Sequence, residues 1–357
     1  LNKDIYGQPT LTEHPKVSIC VISYNHQNYV KTCLNSILEQ KVDFAFEIIL
    51  GEDCSKDQTA EIIIQYADQY PHLLKAYIRQ KNVGAKTNFL HCFLQCKGEY
   101  IVFIEADDYW TDPLKLQRQV DFLDQHPHAS ACFHNAQIIF EDGSHREPVL
   151  INPIDQKPWV ESADFLVEKE TWFMATAAVM MRRKFAHPLP EWFLHSKSGD
   201  IPLYVILAEQ GPIGYLPEVM SVYRKNEGGI SMTDHVHADA FIKNRIFMYS
   251  SINAHTKYKY NHLIKPILQA YYLMRMDCHE NKSNKAKQAF YFSRATLLNP
   301  PRTAKDWKSY LKTNLLSPKN LLTYLNFRSK LNKIINTDLK KTIEESIKKH
   351  KNAEREM

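Results

Sequence analysis

The 357-residue sequence has no run of 18 apolar residues, which excludes an ordinary transmembrane helix, and its first residues carry no signal-peptide pattern. The expectation is therefore a cytoplasmic chain. It also lacks a paired cysteine framework: Cys20, Cys33, Cys54, Cys92, Cys96, Cys132 and Cys278 are scattered, odd in number and set mostly in apolar surroundings. They read as reduced core thiols. Cys92 and Cys96 lie four apart, but no second Cys or His pair follows at finger spacing, which removes a zinc module. A one-sided charge is missing as well. The net charge is only +5, and the basic excess sits after residue 300, where 14 Lys/Arg face 6 Asp/Glu. The rest of the chain carries no basic stripe with interleaved aromatics, so no nucleic-acid partner is expected.

What is present is ordinary core material, 44% hydrophobic, arranged in a repeating order. Val17-Ser-Ile-Cys-Val-Ile22 reads as a buried strand, followed by Ser23-Tyr24-Asn25 and a helix from Tyr29 to Leu38. Phe46–Leu50 is a second strand, with the loop Gly51–Ser55 and a helix over about 58–70 capped by Ser55 or Asp57. Leu74–Ile78, the turn Asn82-Val83-Gly84 and a helix over 88–96 make a third unit. Tyr100–Ile104 is the fourth strand. Repeated β-loop-α units imply an α/β fold with a mostly parallel sheet flanked by helices, whose polar loops converge at one edge. Further strands are expected over 129–140, with a hairpin turn at Asp142-Gly143, over 176–181, and over 213–223 with an interruption at Pro217. A helix is expected over 201–209, with Glu209 as a solvated surface residue. From about 238 the pattern becomes helical throughout, which puts a boundary near 236.

The fourth strand runs into Glu105-Ala106-Asp107-Asp108. Three carboxyl groups within four residues repel one another unless a cation or a set of donors neutralises them, and hard oxygens suit Mg²⁺ or Mn²⁺. The alternative is that Asp-Asp with Thr111-Asp112-Pro113 merely caps the next helix.

Taken in order, Pro15–Asn25, Gly51–Asp57, Asn82-Val-Gly84, Glu105–Asp108 and Ser198-Gly-Asp200 resemble the family 2 glycosyltransferases with a GT-A fold, over roughly residues 15–232. The resemblance implies an N-terminal extension over 1–14 and a GT-A domain over 15–236. Within that domain the nucleotide-sugar half is about 15–112 and the acceptor half about 113–236, and a helical region follows over 237–357. It implies that Ser23, Tyr24 and Asn25 line the base and ribose pocket. Asp53 would accept a hydrogen bond from the base, for which uracil N3–H is a natural donor. Asn82, Gly84 and Asn88 would approach ribose and phosphate, Gly84 because backbone comes close where there is no Cβ. Asp107, with Asp108 next to it, would hold Mn²⁺ or Mg²⁺ on the diphosphate. Glu105 departs from the family's usual Asp and would take a ribose hydroxyl or a metal-bound water.

In the same reading Asp200 is the base that takes the acceptor's proton, which gives single displacement and inversion; without the resemblance it is a helix cap. Val222–Ser231 is similar to the family's closing loop, with Asn226 where a His is usual and with Arg224 and the Gly228-Gly229 backbone over the diphosphate. Trp172 and Trp192 would flank the acceptor. The implied donor is a UDP-sugar and the implied acceptor a glycan or lipid-linked saccharide of a bacterial surface-glycan pathway. Residues 261–300 suggest two antiparallel helices that pack on the catalytic domain or form a homo-oligomer. The basic stretch Trp307–Lys351 is either a solvated helix or a peripheral contact with the inner face of the plasma membrane. Two other readings compete. One is a non-catalytic sugar-nucleotide or glycan-binding module. The other is a sugar-phosphate nucleotidyltransferase, but the Gly-rich basic loop it needs is replaced by Ser23-Tyr24-Asn25-His26.

Overall fold

A computed structural model describes residues 4–7, 14–141, 146–152, 155–167, 173–226 and 238–301, with 303, 306 and 310. The chain divides into two compact units, Leu1–Phe165 with Lys169–Asp234, and Leu166–Glu168 with His235–Met357.

In the first unit the order is β1 (Ile5–Tyr6), β2 (Val17–Ser23), α1 (Val30–Leu38), β3 (Phe46–Glu52), α2 (Thr59–Gln69), β4 (Leu74–Ile78), α3 (Ala85–Gln95) and β5 (Tyr100–Glu105). It continues with β6 (Tyr109–Trp110), α4 (Lys115–Gln125), β7 (Ala131–Glu141), β8 (Val149–Leu150), β9 (Trp159–Val160) and β10 (Val179–Arg182). Three helices, α5 (Arg183–Ala186), α6 (Glu191–His195) and α7 (Asp200–Ala208), precede β11 (Ile213–Asn226). The strands form one sheet in the order β1-β4-β3-β2-β5-β10-β7-β11-β6, with β8 on β7 and β9 on β11. Pairings β4/β3, β3/β2, β2/β5 and β7/β11 are parallel. β10 runs antiparallel between β5 and β7.

All seven residues of β2 are buried, because helices cover both faces of a strand that is paired on both edges. Ile19, Val21, Val30, Leu34, Ile37, Ile48, Leu50, Ile63, Val102, Ile104 and Leu116 share one core. Burying each such side chain stabilises the fold by about 1.5–3 kcal/mol. The strand order reverses between β2 and β5. Ile22 pairs with Glu105 and the Ala106 N–H donates to Ile22 O at 2.9 Å, so the first loop and the acidic loop leave the sheet side by side. Such a reversal opens a crevice at the carboxyl edge of the sheet.

Two local expectations need correction and one is met in part. Of the two residues expected to cap α2, Asp57 accepts the N–H of its first residue, Thr59, while Ser55 ties the second loop to the first. The Ser55 hydroxyl accepts Asn25 N–H at 2.8 Å, and Asp57 accepts Gln27 N–H at 3.2 Å and Thr59 N–H at 3.0 Å. The strand expected from residue 176 starts only at Val179: Thr176–Ala178 is a 3₁₀ turn whose carbonyls are captured by Trp110 Nε1 (onto Ala177, 3.1 Å) and Gln119 Nε2 (onto Ala178, 2.9 Å). Glu209 accepts Ser162 Oγ–H at 2.6 Å rather than standing free in solvent. At Pro217, which lacks an N–H, β11 continues through register shifts between Leu216 and Val219 and between Val219 and Ser221.

The second unit contains α8 (Asp239–His255), α9 (Asn261–Asp277), α10 (His279–Lys282) and α11 (Lys285–Leu298). Arg275 grips the Asp239 carboxylate with Nε at 2.6 Å and Nη2 at 3.0 Å, and Asn281 adds a third hydrogen bond at 2.7 Å. Gln269, midway along α9, is hydrogen-bonded to Asn299, just past the end of α11, so those helices run antiparallel. No described helix is long and apolar enough to cross a membrane. Outside the described residues lie Trp172, the Asp142-Gly143 turn, Gly228-Gly229 and the basic stretch Trp307–Lys351 apart from Tyr310.

Candidate active site

The first two strand ends are laced to each other and to the third. Asn25, held at a positive φ of 56°, accepts Lys56 N–H on its side-chain oxygen at 2.9 Å. Its neighbour Tyr24 is exposed, while Ser23 is buried with an Oγ that has no hydrogen-bond partner among the described residues. Asp53 is 2% exposed and its two carboxylate oxygens accept the N–H groups of Val83 and Gly84, each at 2.8 Å. Its geometry is that of an anchor for the 82–84 turn. Asn82 returns a hydrogen bond to Asp53 O at 3.0 Å.

Gly84 precedes α3 with φ 87° and ψ 150°, a conformation open essentially to glycine alone, and a Cβ there would meet nothing within 4 Å. Backbone conformation rather than close approach accounts for this glycine. Close approach does apply at Gly51, where a Cβ would stand 2.3 Å from Asn88 Oδ1 and 2.6 Å from Cys92 Sγ. Asn88 is buried, donates to Gly51 O at 2.7 Å and accepts Arg79 Nε–H at 2.9 Å, so it locks α3 onto β3.

The acidic loop separates its carboxylates into different surroundings. Asp108 is 1% exposed and accepts Arg224 N–H at 2.9 Å; burial and the neighbouring Asp107 and Glu105 charges push its carboxyl well above the usual range. Asp107 stays partly exposed, and its Oδ2 receives Asn226 Nδ2–H at 3.0 Å and faces His26 Nε2 at 3.9 Å. The Arg224 Nη1–H donates to Asp107 O at 3.0 Å, and the guanidinium lies between the Tyr29 and Tyr109 rings, 5.0 and 4.6 Å from their centroids. Desolvation, then the Asp107 and Asp200 charges, raise Glu105 to about 8. Among the described residues, no three His, Cys, Asp or Glu side chains converge as a self-sufficient metal cage.

Asp200 opens α7, whose N-cap is Gly199. Its charge acts on Glu105, on the buried Tyr204 one turn further along α7, and on Lys86. Trp192 lies on α6 beside Phe193, with ring centroids 6.4 Å apart.

Two residues of this edge were not singled out from the sequence. His26 has a buried Nδ1 without a partner among the described residues, and desolvation lowers its pKa against the pull of Asp107 and Asp57. Lys86 projects from the first turn of α3 toward Gly199. Its signal, a cation in the first turn of a helix, is unfavourable by the helix dipole and was available in the sequence.

A mixed sheet whose strand order reverses at β2/β5, carboxylates on the β5 loop and an acid at a helix start close enough to act on Glu105 are the parts of a GT-A fold. Residues 18–189 match the model of glycosyl transferase family 2. The protein Rv1520 of Mycobacterium tuberculosis is 37% identical over 221 residues, covering 60% of each chain, so the match spans about 60% of that relative's length. EpsE of Bacillus subtilis, named a glycosyltransferase, is 28% identical over 72% of this chain and 90% of its own. The structure of Staphylococcus aureus TarS 1–349 in complex with UDP-GlcNAc superposes with a TM-score of 0.55 at 18% identity, covering 83% of this chain and 85% of that one, a likeness of fold.

Proposed function

We propose that the chain is a metal-dependent, inverting glycosyltransferase that moves a sugar from a UDP-sugar to a hydroxyl of a glycan or lipid-linked saccharide in surface polysaccharide synthesis. The observation that carries this reading is the partly exposed Asp107 carboxylate after β5, with His26 of the first loop 3.9 Å away and Asp200 close enough for its charge to act on Glu105 of the same loop. TarS 1–349 solved with UDP-GlcNAc and with UDP supports the choice of nucleotide. TuaG of Bacillus subtilis, named for teichuronic acid biosynthesis and 24% identical over 61% of this chain, supports the pathway class.

The residues fit a hard divalent ion. Mg²⁺ and similar ions bind through one or two carboxylates plus substrate phosphates, not through an all-protein cage. Asp107 supplies such a carboxylate, and the side chains of Asn226 and His26 stand beside it. Bound there, the ion would act as a Lewis acid on the departing diphosphate. The remaining work belongs to the chain itself. Asp53 and Asn88 keep the 82–84 turn and α3 in place, Ser23 offers an unspent hydroxyl, and Arg224 sets a guanidinium beside the acidic loop. Asp108 is assigned to the framework, since its oxygen is used by Arg224 N–H. An acceptor hydroxyl oxygen attacks the anomeric carbon, the bond from that carbon to the phosphate oxygen breaks, and Asp200 takes the hydroxyl proton. Attack from the face opposite the leaving group inverts the configuration.

Calorimetric titration of UDP, GDP and CMP, with and without Mn²⁺, on the native chain and on Asp107→Ala, tests the proposal. UDP binding that needs both the metal and Asp107 supports it. Metal-independent binding would instead favour a non-catalytic nucleotide-binding module, and no binding would remove the crevice from its assigned role.

A further inference from the structure

Among the described residues of this edge, Lys86 is a buried cation for which neither the fold nor the reaction as described has a use. Its Nζ is withdrawn from solvent and has no hydrogen-bond partner among the described residues. The ammonium lies 3.4 Å from the centroid of the Phe193 ring, and a Cβ on Gly199 would sit 3.8 Å from it. Desolvation pulls its pKa down to about 8 even though the Asp200 charge holds it up. A fold gains little from such an arrangement. An alanine or leucine in the first turn of α3 would avoid both the desolvation penalty and the repulsion from the helix N-terminus.

The placement has a geometric meaning. α3 follows the Asn82–Gly84 turn, which hangs on Asp53 in the nucleotide loops, whereas Gly199 and Asp200 open the helix that carries the assigned base. Lys86 therefore spans the interval between nucleotide and base. In a sugar nucleotide that interval is occupied by the sugar. The Phe193 face takes one direction of the ammonium, which leaves N–H groups to be satisfied by a ligand. The charges around it decide what kind. Asp200 acts directly on Lys86, so a carboxylate of the sugar placed at this point would meet the Asp200 charge, whereas a neutral oxygen would not be repelled.

We propose that Lys86 donates a hydrogen bond to an uncharged oxygen of the transferred sugar, a hydroxyl or an acetamido carbonyl, and so selects neutral sugar-loaded donors over bare nucleoside diphosphate and over uronates. The proposal rests on the glycosyl-transfer reading of the site.

The test is calorimetric titration of the full chain with UDP, UDP-glucose, UDP-N-acetylglucosamine and UDP-glucuronate in Mn²⁺, comparing the native protein with Lys86→Met and Lys86→Gln. Methionine keeps the buried stem and removes the charge; glutamine keeps one donor. A hydrogen bond from a charged donor corresponds to roughly a tenfold loss of affinity on removal. The expected result is that Lys86→Met weakens the best-bound neutral UDP-sugar about tenfold while UDP itself changes less than about twofold, with Lys86→Gln falling between. Equal losses for UDP and UDP-sugar would make Lys86 a structural residue and overturn the proposal. Unchanged affinity for both, or tighter native binding of UDP-glucuronate than of every neutral sugar, would overturn it as well. Absence of UDP binding by the native chain is a separate outcome, which overturns the glycosyl-transfer reading and this inference with it.

Discussion

The Asp108 carboxylate accepts the backbone N–H of Arg224 at 2.9 Å, although the two residues are 116 positions apart. The loop after β5 and the end of β11 thus fix one another, and Arg224 and Asn226 are carried onto the same loop at Asp107. A carboxyl held this way, its titration pushed upward by burial and the neighbouring acids, serves the framework as a hydrogen-bond acceptor.

Asp108→Asn is expected to preserve the acceptor and to leave both fold and metal-dependent UDP affinity within about twofold, whereas Asp107→Asn abolishes the metal dependence. Asp108→Leu orphans a buried N–H and costs about 1–3 kcal/mol of stability. Denaturant midpoints and UDP titrations on the three variants check this. A large loss of metal-dependent binding in Asp108→Asn would make Asp108 a ligand.

Asp53→Ala should weaken the nucleotide loops rather than remove one base contact. It leaves the Val83 and Gly84 N–H groups without acceptors and costs about 2 kcal/mol. Hydrogen exchange at Val83 and Gly84 should accelerate along with the loss of UDP affinity. Weakened UDP binding with unchanged protection of those amides would instead assign the carboxylate to the nucleotide base.

Asp200→Asn separates chemistry from binding. Loss of a general base lowers turnover by about 10²–10⁴-fold. UDP affinity should be retained, and α7 should stay folded because the N-cap is Gly199. Parallel loss of turnover and thermal stability would return Asp200 to the role of a helix-start residue.

Lys115 offers a test by pH. It is fully buried, its Nζ has no hydrogen-bond partner among the described residues, and it lies 3.9 Å from the centroid of the Trp110 ring. Desolvation puts its pKa well below the ordinary value of 10.5. The folded state then binds fewer protons than the unfolded state wherever the pH lies between the two values, so stability rises with pH through that window up to about 10.4. Lys115→Met should remove this rise and stabilise the protein near neutrality. Denaturant titrations of both proteins between pH 7 and 10.5 check the difference, and identical pH profiles would contradict the assignment.

The sheet was legible where one strand carries its own signature. β2, β3, β4 and β5 are short continuous apolar runs bounded by polar loops, and the observed strands begin at the expected residues Val17, Phe46, Leu74 and Tyr100. Less legible were features decided by remote partners. The 3₁₀ turn at Thr176–Ala178 depends on Trp110 and Gln119, and the antiparallel insertion of β10 depends on edges presented by β5 and β7. In the candidate site, the motifs pointed to the acidic loop and Asp200, but they could not tell that Asp53 and Asn88 spend polar atoms on backbone and Arg79. His26 was passed over because its meaning lies in Asp107, 81 positions away, and Lys86 because its meaning lies in Phe193 and Gly199.

The unbroken hydrogen-bonded ladder from β4 through β5 and β10 to β11 has a mechanical consequence. It leaves no hinge between the strands that carry the nucleotide loops and those that carry the opposite wall, since bending there would break main-chain bonds along β10. Any rearrangement on ligand binding must therefore be carried by segments beyond the strand ends. Spectroscopic labels on β3 and β7 should keep a constant separation when nucleotide binds, with any motion confined to the rim.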